Sequence, residues 1–135
     1  MQTVPQDEAR RKVKEYAESV RAAVGVQEFS NGNENVTPCE GKLGELSDES
    51  EVYYVQGTYQ IQVSGEQHAE ALRRARQDWE SRGFTIKGEH TYNDGGGRVT
   101  AVTDDEYSLQ LGSGNPPAMV LLVSSPCYRT PDAAN

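Results

Sequence analysis

The chain has 135 residues, enough for one domain that buries about two-thirds of its unfolded surface. Its net charge of −8, from 21 acidic against 13 basic residues, argues against nucleic acid, because neutralising phosphates needs clustered Lys and Arg. No stretch of about eighteen apolar residues occurs, so no segment reads as a membrane-spanning helix.

Met1-Gln2-Thr3-Val4-Pro5 is polar at once and lacks a signal-peptide pattern. A leader removed upstream and a short tether over residues 1–4 are expected. Residues 5–24 predict an amphipathic helix, with Ala9, Val13, Ala17, Val20 and Val24 at spacings of three and four. Pro5 suits its first turn and Gly25 its stop. Its Arg10, Arg11, Lys12 and Lys14, like Arg73, Arg74 and Arg76 later, alternate with acids and read as solvated helix faces. Residues 30–51 read as a polar loop pinned by Cys39. Asn35-Val36-Thr37 matches a glycosylation sequon, but the proline after Thr37 gives it little weight.

Residues 52–63 alternate as a half-buried strand. Tyr53, Val55, Tyr59, Ile61 and Val63 fall on one face, and Tyr54, Gln56, Thr58, Gln60 and Gln62 on the other. A second helix follows over 65–82, with Ser64 and Gln67 as a capping-box pair and Gly83 as its stop. Ala69, Leu72, Ala75 and Trp79 form its expected buried stripe. Four further strands follow at 84–91, 97–103, 106–111 and 118–124, separated by Gly-, Asp- and Pro-rich turns. The short connections predict an antiparallel meander. Ala118-Met119-Val120-Leu121-Leu122-Val123 is apolar throughout, which predicts an interior strand flanked by 106–111 and 52–63. The expected fold is a single α+β domain over residues 1–135. It holds a five-stranded antiparallel sheet in the order 84–91, 97–103, 106–111, 118–124, 52–63, with two helices on one face and a flexible tail at 129–135.

Cys39 and Cys127 are the only cysteines, and each follows a proline. Such an isolated pair predicts one disulfide and an extracytoplasmic protein, with a closed loop of about 88 residues that stabilises by roughly 4–5 kcal/mol. Neither cysteine has the neighbouring ligands that zinc requires. Asp94-Gly95-Gly96-Gly97 lacks the lysine of a phosphate loop and reads as a hairpin turn. Asp104-Asp105-Glu106 and Asp48-Glu49-Ser50-Glu51 lack calcium-loop spacing and read as solvated turns. The two histidines, His68 and His90, are weak evidence for zinc, so neither a metal nor a catalytic residue is assigned, and no cofactor is expected.

The sheet face turned away from the helices is the candidate ligand site. It combines Tyr54, Gln56, Thr58, Gln60 and Gln62 with Thr85, Lys87 and Glu89, then Arg98, Thr100, Ser108 and Gln110, around an apolar stripe of Val120 and Leu122. Tyr54, Gln60, Thr100, Gln110 and Leu122 are the chosen contact residues, since an uncharged Gln/Thr/Tyr surface suits a peptide or glycan. A merely solvated face is the competing reading.

In layout the chain resembles the mature domains of small actinobacterial cell-envelope lipoproteins. The residues that carry this are the leading helix Asp7 to Val24, Pro38-Cys39-Glu40-Gly41, Phe84-Thr85-Ile86 after the Trp79 helix, and Ser124-Ser125-Pro126-Cys127-Tyr128. The resemblance implies an envelope location rather than a reaction, with membrane attachment only through a lipidated cysteine that this chain lacks. The expected function is a non-catalytic exported domain that binds an envelope component or protein partner. The alternative is a secreted inhibitor or immunity-type protein that occludes a basic partner; a small hydrolase ranks third.

Overall fold

Spacings of three and four residues place Ala9, Val13, Ala17, Val20 and Val24 on one stripe, and all five are buried along α1 (Gln6–Val24) in the computed structural model. The structure describes residues 2–39, 52–93 and 95–131. Gly25, at φ 89°, closes α1: its N–H bonds Ala22 O at 3.1 Å and the Val26 N–H bonds Arg21 O at 3.2 Å. Gly83, at φ 79°, closes α2 (His68–Ser81) in the same way, with the Phe84 N–H on Trp79 O at 3.0 Å.

The start of α2 departs from the sequence pattern. A 3₁₀ turn over Gly65–Gln67 precedes it, and Ser64 makes no side-chain capping bond. Counting back from Trp79 and Ala75 in helical steps reaches Ala71 and His68, so these two are buried, while Ala69 is exposed and Leu72 half-buried.

Seven strands form one sheet. β1 (Asn31–Pro38), β2 (Val52–Gln62), β3 (Thr85–Thr91), β4 (Gly97–Val102), β5 (Ser108–Ser113) and β6 (Ala118–Ser124) lie in the order β1-β2-β6-β5-β4-β3, while β7 (Tyr128–Arg129) pairs with β2. All these pairings are antiparallel. The five expected strands keep their order, and β6 is interior. The count of five is corrected to seven because β1 and β7 add to the β2 side.

β1 corrects the reading of residues 30–51 as loop. Its Asn-Gly-Asn-Glu-Asn start has weak strand propensity, yet it pairs with β2 from Asn31↔Gln60 to Pro38↔Tyr53. Aromatic packing supports it: Phe29 lies 4.8 Å from the Tyr59 ring, and a Cβ on Gly32 would come within 2.6 Å of that ring. Residues 40–51, including the acidic Asp48–Glu51 stretch, fall outside the described residues.

Beyond β6 the register slips by one residue before β7. Ser125 bridges the slip, its N–H donating to Val55 O and its Oγ accepting the Val55 N–H, each at 2.9 Å. The Cys39–Cys127 disulfide, with Cα atoms 6.3 Å apart, ties the end of β1 to the segment entering β7. The expected tether and tail meet each other: Thr3 bridges Arg129, and the Arg129 N–H donates to Gln2 O at 2.8 Å. The Tyr53 hydroxyl adds a 2.5 Å bond to Val4 O.

Both helices cover one face. Beneath them lie Tyr53, Val55, Tyr59 and Ile61 of β2, with Leu109, Leu111, Met119, Leu121 and Val123. α1 approaches β2 closely at Gly57, where a Cβ would sit 2.6 Å from Val13 Cγ1.

Candidate functional site

Side chains alternate along a strand, so the residues between the buried ones of β2 must project from the uncovered face. Pairing extends that face across the sheet in rows. Asn33, Thr58, Leu122, Gln110, Thr100 and Gly88 form one row. Asn31, Gln60, Val120, Gly112, Arg98 and His90 form the next. Four of the five chosen contact residues, Gln60, Thr100, Gln110 and Leu122, therefore fall on two adjacent rows. Tyr54 shares the face but stands about 14 Å along β2 from Thr58, opposite Thr37.

Leu122 and Val120 are half-buried at the centre, with amides and hydroxyls around them. Thr100 Oγ1 lies 3.5 Å from Gln110 Oε1. Sequence reasoning missed Asn31, Asn33 and Asn35, which β1 adds at the rim. Their two-residue spacing was the available signal, masked by a composition that reads as loop.

A β-bulge corrects the placement of Glu89. The β3–β4 register shifts between Ile86 and Gly88. Past that point the alternation is inverted: Gly88 and His90 pair in the open-face rows, and the Glu89 carboxylate meets Arg76 of α2 at 2.6 Å. As a result, no acidic residue occupies an open-face position of the described strands.

The covered side holds the other polar candidates. His68 is buried, with Nε2 donating to Val63 O at 2.8 Å and Nδ1 accepting from Ser113 Oγ at 3.0 Å. Ser113 Oγ accepts in turn from the Gly97 N–H at 3.2 Å. His68 thus joins α2 to the ends of β2, β4 and β5, while His90 is exposed on edge strand β3. Among the described residues, no three His, Cys, Asp or Glu side chains gather at one point.

Asp105 corrects the reading of its turn as wholly solvated. Its carboxylate accepts from Lys12 Nζ, from the Tyr16 hydroxyl at 2.5 Å and from Thr103 Oγ1 at 2.6 Å. Burial opposes its ionisation, but these three hydrogen bonds prevail and hold the carboxyl below its ordinary range. The hydrogen bond from Lys12 to Asp105 raises the lysine in turn. Burial pushes the Tyr53 phenol up to about 12.

No family model and no curated protein matches the sequence. The fold does find a counterpart, the crystal structure of "the putative lipoprotein LppA from Mycobacterium tuberculosis". The TM-score is 0.58 at 10% identity, over 94% of this chain and 79% of that one. At this identity the likeness shows the α+β fold alone.

Proposed function

We propose that this chain is an exported, non-catalytic cell-envelope domain that binds an envelope component through its open sheet face. The observation that carries the reading is that, among the described residues, the strands place no acid on that face. A face left merely to water has no reason to exclude carboxylates; a hydrogen-bonding platform does, because a desolvated unpaired carboxylate opposes binding. The long-range disulfide favours an oxidising compartment, and the likeness to a lipoprotein fold supports an envelope location. Attachment, if any, would come through a lipidated cysteine upstream of residue 1.

The test is capture of envelope components by the immobilised, oxidised domain. Replacing Gln60, Thr100 and Leu122 together with alanine should abolish the capture while circular dichroism stays native. Undiminished capture by the triple variant would remove the open face from consideration.

A further inference from the structure

The open face is not uniform, and its β3 end is the part that departs from neutrality. Lys87, Gly88, His90, Arg98, Thr100 and Gln110 surround a shallow depression there. Glu89 borders it as well, but its carboxylate is held by Arg76. Lys87 and Arg98 are exposed, and neither forms an ion pair among the described residues. By contrast Arg11 and Arg21 of α1, Arg73, Arg74 and Arg76 of α2, and Arg82 just past it each meet a carboxylate, while Arg10 of α1 has no ion pair among the described residues. On a face whose described strands carry no acid, in a protein of net charge −8, Lys87 and Arg98 line one depression and give it a local positive field.

Gly88 is exposed and lines the depression. A Cβ there would meet nothing within 4 Å, so no packing demands a glycine, and its φ lies outside the left-handed region. The bulge beside it supplies the reason for the shape. By inverting the alternation it turns a carboxylate away from the face, sets a residue without a side chain in the row of Leu122, Gln110 and Thr100, and brings His90 alongside Arg98. A glycine with open space above it in a strand admits close approach of a ligand to the backbone.

We infer that the β3 end of this face binds an acidic sugar chain, with Lys87 and Arg98 taking a carboxylate and the row of Gln110 and Leu122 taking the sugar ring beside it. This rests on the open-face reading of function. A peptide in extended form would pair with a free strand edge, since the face offers side chains and no free backbone ladder. Sugar hydroxyls, each donor and acceptor, match the amides and hydroxyls of Gln110, Thr100, Thr58 and Gln60, and the apolar side of a sugar ring fits Leu122. The bidentate fork of Arg98 suits a carboxylate.

The test uses the full oxidised chain and two probes of one backbone, a short oligogalacturonate and its fully methyl-esterified, uncharged form, followed by amide shifts in nitrogen-labelled protein. The acidic probe should shift the amides of Gly88, His90, Arg98 to Thr100 and Gln110. It should bind at least about tenfold more tightly than the ester, and Arg98→Gln or Gly88→Leu should each lose about tenfold, one by charge and the other by filling the depression. Gly88→Leu keeps the test open if Arg98→Gln disturbs β4, since nothing packs over Gly88. Equal binding of both probes to the face, indifferent to Arg98→Gln, overturns the anion inference and leaves the open-face reading standing. Shifts confined to the Arg10–Lys14 stretch of α1, or no shifts at millimolar probe, overturn it as well, and the open-face reading is then decided by the triple variant alone.

Discussion

The two faces of the one sheet are built from the same strands and obey opposite rules. Under the helices, Tyr53, Val55, Tyr59, Ile61, Leu111 and Leu121 are sealed, and the polar groups there, His68 and Asp105, are tied by several hydrogen bonds each. On the other side, the alternate residues are amides, hydroxyls and a short apolar stripe, half-exposed and with few bonds among themselves. Burial without partners is costly, and His68 and Asp105 find theirs, while Trp79 Nε1 and the Tyr107 hydroxyl are buried without one among the described residues. The open face keeps its donors and acceptors available, and this contrast separates a stabilising surface from one ready to take a ligand.

The largest effect should come from cutting what fastens the β1 edge to the core. Reducing Cys39–Cys127 releases a loop closed across 88 residues of sequence separation. A loss of about 4–5 kcal/mol is expected from chain entropy, read as a lower denaturant midpoint under reducing conditions. Unchanged midpoints would mean that β1 is held by β2 pairing alone. Next is the covered face itself: Trp79 is fully buried, and Trp79→Ala should cost about 3–5 kcal/mol. A cost below about 1 kcal/mol would contradict its central place in the core.

Asp105→Ala should cost less, about 1–2 kcal/mol, because its side chain is 34% exposed and the Lys12 pair is partly screened. The pH dependence has a definite sign. A carboxyl held below its ordinary 3.8 contributes stability above that value and loses it as the pH falls through its folded value. Wild type should therefore lose stability below about pH 4 more steeply than Asp105→Ala. At the alkaline end, Tyr53 is raised from 10.0 to about 12, so its contribution is full below pH 10.0 and lost as pH rises through about 12. Tyr53→Phe should flatten that limb in thermal melts.

The smallest effect on stability should fall on the open face. Gln60→Ala and Thr100→Ala should each stay within about 0.5 kcal/mol of wild type, since neither side chain is buried. Large losses in urea titration would mean that the face is structural after all.

Much of this contrast was legible in the residues. The strict alternation of 52–63 and the apolar run 118–124 gave both the strand order and the identity of the open face. Three features were hidden for physical reasons. β1 has a loop-like composition, and its strand character comes from β2 pairing and Tyr59 packing rather than from its own propensity. The bulge at β3 has only an isolated glycine, Gly88, as its local sign, so Glu89 read as an open-face acid. Asp105 sits in a turn-like Asp-Asp-Glu run, and its role depends on Lys12 and Tyr16, about ninety residues away in the chain.

The claim that the open face is the binding surface is tested most directly by photo-crosslinking from each side of the sheet. A photoreactive residue at Thr58, exposed at the centre of the open face, is compared with one at Gln77, exposed on α2. Irradiation with an envelope fraction should give adducts from Thr58 and none above background from Gln77. Adducts from Gln77 with none from Thr58 would contradict the account.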